Sequence, residues 1–300
     1  MKQDHRSGVR IHPSAVISPH AELGTDVSIG PFCVVEDDAK IGDGTILEAF
    51  VSVRRRTVLG ARNHVFENAV LGAPPQHAHS PEFPGDVVIG DGNVIREACT
   101  IHKSTFEDVV TRIGNNNLFM VNVHIAHDCT IGSGVIVSNN TSFGGHVHVE
   151  DRAVVSANVG VHQFCRIGSL AMVGGQARVT KDVPPGVLID GLSSFVVGLN
   201  KVGLRRAGIS GAEMIRLKKA YRMLYRSGML WDDMVAEMRH TFTEGLAGHL
   251  GEFIAETKRG IVPERRTPPG ATVRLIRDED GDSAVAPETN SGDAPIARTG

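Results

Sequence analysis

A period of six residues constrains this chain more than any other feature. Aliphatic residues stand at Ile11, Ile17, Leu23 and Ile29, and at every sixth position after that as far as Leu71. The register returns at Ile89, Ile95 and Ile101, then runs from Ile113 to Val179, with Phe119 and Phe143 replacing the aliphatic type. An α-helix repeats near 3.6 residues and a half-buried strand at 2, so neither gives this spacing. Short strands joined by turns around a three-sided prism do give it. Eighteen residues then make one coil, every sixth side chain points inward, and successive coils stack at about 4.8 Å. The predicted fold is a mainly β chain, a parallel β-helix of hexapeptide repeats. Glycines such as Gly24, Gly30, Gly42 and Gly132 follow the inward positions and suit corners that need positive φ or close backbone approach.

The period lapses at residues 77–88 and 107–112, where projecting loops are expected to carry binding groups. It ends after Asp182-Val-Pro-Pro-Gly186. Ser210-Gly-Ala-Glu213 reads as a capping box, and Met214, Leu217, Tyr221 and Leu224 form an apolar stripe ending near Gly228. Further helices are expected at about 231–243 and 246–258. The organisation is therefore an extension over 1–10, a β-helix over 11–190, a small α-helical C-terminal domain over 191–262, and a tail over 263–300 whose composition predicts disorder.

A formal charge of −3 argues against a general nucleic-acid binder. No apolar run reaches bilayer-spanning length and no secretory h-region follows the start, so the expectation is a cytoplasmic protein that is not integral to a membrane. Cys33, Cys99, Cys129 and Cys165 form no CxxC pair and are expected to be reduced. Cys129 and Cys165 share a column but stand two coils apart, about 10 Å, beyond disulfide reach.

One stretch breaks the apolar monotony: Asn122-Val-His-Ile-Ala-His-Asp-Cys-Thr-Ile-Gly132. At eighteen residues per coil, Asp128 lies in register with His146, and His127 with Gly145. His162 falls in the column of Gly144, one coil further on, and His124 stands one corner before His127. Four histidines thus gather along one edge. They fit three readings: a solvated polar ladder, a metal site, or a general base whose tautomer a carboxylate holds. The spacing His124-Ile-Ala-His127 departs from the HxxxxH ligand spacing of the γ-class carbonic anhydrases, which bind zinc on a hexapeptide scaffold.

That stretch, with Ser142-Phe-Gly-Gly-His-Val147, Val161-His-Gln-Phe-Cys165, Met172-Val-Gly-Gly175, Thr100-Ile-His-Lys103 and the YRMLYRSG segment ending at Gly228, resembles the UDP-N-acetylglucosamine O-acyltransferases of lipid A synthesis over about residues 10–260. The resemblance implies a left-handed β-helix, against the usual right-handed crossover rule. It implies direct transfer of a (3R)-hydroxyacyl group from acyl carrier protein to the sugar 3-hydroxyl, the first step of lipid A biosynthesis, with no covalent enzyme intermediate, no cofactor and no metal. His127 would be the general base, Asp128 its orienting carboxylate, and the backbone N–H of Gly145 a donor to the thioester oxygen. Gln76, His124, His146, His162, Gln163, Asn200 and Arg206 match positions that bind the UDP-sugar or shape its site. Gly175 matches the position that limits acyl-chain length, and glycine there leaves room for a long chain. A homotrimer with sites between subunits is also implied.

The carrier protein is acidic and needs a basic dock. Between Lys201 and Arg226 eight basic residues face one acid, Glu213, and the docking candidates are Arg205, Arg216, Lys218, Lys219 and Arg222. Some residues depart from the family pattern. Gln76-His-Ala-His79 replaces a usual Gln-Asp-Leu-Lys, which leaves a 3-amino sugar acceptor, or a binding protein without activity, as alternatives. Val202 and Ala207 replace a glutamate and an arginine near the uracil site, and Ser193 a histidine at the far end of the acyl tunnel.

Overall fold

A computed structural model describes residues 8–78, 82 and 84–265. The chain coils as a left-handed parallel β-helix with three faces, built of sheets of eleven, nine and eight strands among the described residues. Most strands are two residues long, and the second of each pair is the hexad residue pointing inward: Ile29, Leu47, Val65, Ile95 and Ile125 are at most 2% exposed. Registers follow the eighteen-residue count, as in His124 opposite Ser142 and Ile125 opposite Phe143. The two lapses in the period show as strands lengthened to four residues, Asp86–Ile89 and Val110–Ile113, which pair side by side.

At the corners, of the two reasons expected for glycine, close backbone approach is the one found at Gly24, Gly30, Gly42 and Gly132: a Cβ at Gly30 would lie 2.8 Å from the carbonyl carbon of Glu48 in the next coil. Left-handed backbone falls instead two residues later on side chains of every kind, among them Asp26, Arg62, Asp128, His146 and Phe164. Among the described residues nineteen non-glycine residues adopt φ of 53–65°, so this conformation belongs to the scaffold and does not by itself mark a functional site.

The coil ends where Val187–Ile189 pairs antiparallel with Val196–Leu199. Four helices follow: α1 (Lys201–Arg206), α2 (Gly211–Arg226), α3 (Trp231–Thr241) and α4 (Gly245–Ala255). The short α1 has too few apolar repeats to be legible in advance. Ser210 caps α2 through Glu213 N–H as the capping box predicts, but the Glu213 carboxylate does not return to Ser210. It accepts from Leu246 N–H (2.7 Å) at the start of α4 and so ties two helices together. Arg166, on the coil, lies 4.1 Å over the ring of Phe253 and donates to its carbonyl.

The first three residues of the segment read as tail are held by the folded chain. Pro263 O accepts from Val196 N–H, the Glu264 carboxylate takes Tyr221 OH at 2.7 Å and Arg226 at 2.6 Å, and Arg265 pairs with Asp190. Backbone and ion-pair partners offset the ordering entropy that composition alone says is unmet. Residues 266–300 lie outside the described residues. No described helix is long and apolar enough to cross a membrane.

Candidate active site

The corner between the second and third sheets carries the site. His127 and Asp128 follow the strand His124–Ile125, Gly145 and His146 follow Ser142–Phe143, and Gln163 and Phe164 follow Gly160–Val161. The rings stack up this edge: His146 lies 4.5 Å from Phe164 with planes 6° apart, and meets His127 edge-on at 5.3 Å.

His127 Nδ1 lies 2.7 Å from Asp128 Oδ2, and the Asp128 side chain is 2% exposed. Burial pushes the Asp128 carboxyl up, but hydrogen bonds from Ser104, Thr105 and His127 outweigh it and hold the group below its ordinary pKa. An ionised carboxylate only accepts, so His127 Nδ1 is the donor of this bond, and in the neutral tautomer it favours Nε2 is the nitrogen with the lone pair. Gly145 packs flat against that nitrogen: a Cβ built there would stand 2.7 Å from Nε2. The corner thus presents an imidazole whose Nε2 adjoins a stretch of bare backbone.

His124 Nδ1 is 2.8 Å from Thr100 Oγ1, and burial, aided by His102 and His127, pushes its pKa down to about 4. His102, 5% exposed and also pushed down by burial, places Nδ1 at 2.6 Å from the carbonyl of Pro74. Both rings are therefore neutral at physiological pH. His162 is exposed and shares with His124 a cavity of about 370 Å³ on the outer face of the second sheet, reaching across Gly160 to Arg178.

The three atoms His127 Nδ1, Asp128 Oδ2 and a ring nitrogen of His146 lie within 4.8 Å of one another, a spacing open to a cation. The His127–Asp128 separation of 2.7 Å is a hydrogen-bond distance, whereas two ligands of one tetrahedral zinc stand roughly 3.3 Å apart for bonds of about 2.05 Å. The pair is built to share a proton.

Not every candidate converges here. Gln76 is exposed at the neck of the first insertion, and the next residue, His77, brings its ring to 5.7 Å from His127; His79 lies outside the described residues. Gly175 is exposed on a different edge, between the first and second sheets. Asn200 caps α1, accepting from Gly203 N–H and donating to Leu170 O on the third edge, and is 6% exposed; Arg206 stands exposed at the far end of that helix. One chain therefore spreads these residues over three edges. The docking set also divides. Arg216 is engaged by Glu213 and by the Glu244 carbonyl, and Arg226, part of the counted excess, is paired with Glu264. Arg205, Lys218, Lys219 and Arg222 are exposed with no ion pair among the described residues. The sequence reading passed over Ser104, Thr105 and Thr111, which hold Asp128; the only signal was a polar run directly after the hexad residue Ile101.

The left-handed β-helix, with an imidazole–carboxylate pair at one corner, places the chain among the hexapeptide-repeat transferases. Residues 111–145 match the bacterial transferase hexapeptide model, and residues 182–262 match the model described as UDP-N-acetylglucosamine O-acyltransferase, domain 2. The chain belongs to the UDP-N-acetylglucosamine O-acyltransferase family. It is 47% identical over 258 residues to the acyl-[acyl-carrier-protein]–UDP-N-acetylglucosamine O-acyltransferase of Thiobacillus denitrificans, covering 84% of this chain and 98% of the relative. The Gloeothece citriformis enzyme of the same name is 41% identical over 209 residues, 68% of this chain and 76% of its own. Among solved structures, the Francisella novicida UDP-N-acetylglucosamine acyltransferase aligns with TM-score 0.82 at 37% identity, over 85% of this chain and 95% of that one. The Moraxella catarrhalis enzyme aligns with TM-score 0.81 at 40% identity, over 84% and 99%.

Proposed function

We propose that this chain moves a (3R)-hydroxyacyl group from acyl carrier protein to the 3-hydroxyl of UDP-N-acetylglucosamine, with His127 as general base. The hydrogen bond from His127 Nδ1 to the ionised, buried Asp128 carries the proposal, because it leaves Nε2 free to take a proton. The sugar hydroxyl gives its proton to Nε2 as its oxygen attacks the thioester carbon. The tetrahedral oxyanion forms beside Gly145, whose N–H is the donor; the C–S bond then breaks and the pantetheine thiolate leaves, to be protonated by the imidazolium. The neutral rings of His124 and His102, the half-buried His146, and the exposed His162 and Gln163 line the approach for the sugar.

A homotrimer accounts for the separated candidates: threefold packing of prisms brings the edge holding Gly175 and the end holding Asn200 and Arg206 toward a neighbour's His127 edge. Phe32 and Phe50, stacked at 5.0 Å and 56% and 53% exposed on the first edge, suit such a contact. Lys218, Lys219 and Arg222, on the outer face of α2, form the dock for the carrier protein. Transfer by purified protein is the test, with wild type and His127→Ala compared on UDP-N-acetylglucosamine and on its 3-amino analogue. An unchanged rate in the variant removes His127 as base, and preference for the amine reassigns the acceptor toward the one favoured by His77 beside the base.

A further inference from the structure

Asp128 does not hold itself in place. Its carboxylate lies inside a ring of donors from the segment that follows the strand Thr100–His102, beside the second interruption of the repeat. Ser104 Oγ donates to Oδ1, Thr105 Oγ1 donates to Oδ2 at 2.7 Å, and Thr105 N–H reaches both oxygens at 3.3 Å. Ser104 is fully buried, and its oxygen accepts from Phe106 N–H at 3.0 Å, which turns its own hydrogen toward Asp128. From the opposite side, Asp128 N–H donates to Thr111 Oγ1 at 2.9 Å, and Thr111 is likewise fully buried. The aspartate is thereby fixed at its backbone and at both oxygens by a loop of another coil.

We infer that Ser104 and Thr105 are positioning residues for acyl transfer, acting through Asp128 to keep His127 in the tautomer and orientation of a base. The inference rests on the acyl-transfer reading above. An unsupported carboxylate this deeply buried would take up a proton or rotate toward solvent. Either change removes the acceptor that holds the proton on His127 Nδ1, and Nε2 then carries the hydrogen it is meant to receive. Two hydroxyls and one N–H prevent both outcomes, because they bond only to the ionised form without forcing any other group to rearrange. Both hydroxyls bond the carboxylate and not the imidazole, so deleting them acts on the base through Asp128.

The test is steady-state kinetics of S104A, T105V and the S104A/T105V double variant beside wild type, H127A and D128N. The expected result for the double variant is a fall in kcat of about 10- to 100-fold, the effect of losing charge-assisted hydrogen bonds to a buried carboxylate, with KM for UDP-N-acetylglucosamine within about twofold. T105S, which keeps the hydroxyl, restores the rate. In a D128N background the two hydroxyl deletions add little further loss, since the group they act through is already neutral. Thermal melts of each variant separate unfolding from misplacement, and isothermal calorimetry with UDP-N-acetylglucosamine reports on folded variants even where turnover is small. If the double variant is active and folded with wild-type kcat, or its loss lies wholly in KM, or its effect adds fully to that of D128N, the inference is overturned. If wild type itself transfers nothing while binding the nucleotide, the acyl-transfer reading falls first, and this inference with it.

Discussion

Replacing Gly145 by alanine isolates the contact on which the base depends. The added Cβ would stand 2.4 Å from His127 Cε1 and 2.7 Å from Nε2, and a carbon–carbon contact relaxes near 3.5 Å, so the ring must withdraw by roughly 1.1 Å. It has nowhere free to go, because its other nitrogen is held at 2.7 Å by Asp128, itself fixed by the Ser104 loop. The backbone at Gly145 is not in the left-handed region, so alanine adds no torsional strain and the effect is steric alone. Displacement of a catalytic group by about an ångström lowers turnover on the order of 10²-fold, and overpacking a tight coil costs about 1–3 kcal/mol of stability. The assay is mass-spectrometric acyl transfer from a defined hydroxyacyl carrier protein, read as kcat and KM, with the melting temperature measured beside it. G211A is the control: at the start of α2 its Cβ meets nothing within 4 Å, and it is expected to keep kcat and gain about 0.4–1 kcal/mol. A folded G145A chain with wild-type kcat would refute the packing of Gly145 on His127 and the oxyanion geometry built on it.

Three further outcomes follow from the same structure. The triple variant K218E/K219E/R222E reverses the charge of the outer α2 face; KM for the acyl carrier protein rises about tenfold or more, kcat is unchanged, and the salt dependence of kcat/KM flattens. His124 titrates near pH 4 by nitrogen-15 NMR; since its unfolded value is near 6.5, the unfolded chain binds the extra proton between those values, and this site weakens the fold as pH falls from 6.5 toward 4. The His249–Glu150 pair (2.6 Å), which joins α4 to the coil beside Arg166 and Glu256, behaves in the opposite way. The Glu150 hydrogen bond raises the His249 pKa, so its contribution is present in full below about pH 6.5 and is lost as pH rises through the folded value; Glu150, held down, loses its share only in acid. With His249 41% exposed, solvent screening keeps the effect below about 1 kcal/mol, and the melting-temperature gap between wild type and H249Q narrows from pH 6 to pH 9.

The coil was legible in the amino-acid order because its rule is local. An inward aliphatic residue every six positions, from Ile11 to Val179, is the condition for closing each face, and register then follows by counting. Counting also placed Asp128 against His146 and His127 against Gly145, and the coordinates put these groups together. The α2–α4 stripes were readable for the same reason, since a helix declares its buried face at fixed spacing.

Counting stops where the period does. Ser104 and Thr105 close on Asp128 from twenty-four and twenty-three positions earlier in the chain, across an insertion whose path no periodicity describes. Glu213 caps a helix thirty-three residues away, and Glu264 leaves a stretch that looks disordered to bind Tyr221 and Arg226. A charge count gives eight basic residues against one acid, while tertiary contacts engage Arg216 and Arg226. Repeat and motif, with the family resemblance they carry, therefore determined the scaffold, the class of reaction and the histidine proposed as base. Only the tertiary structure decided what keeps that base in its working tautomer, which charges remain for a partner, and where the fold ends, because each depends on polar groups finding one another across loops of irregular length.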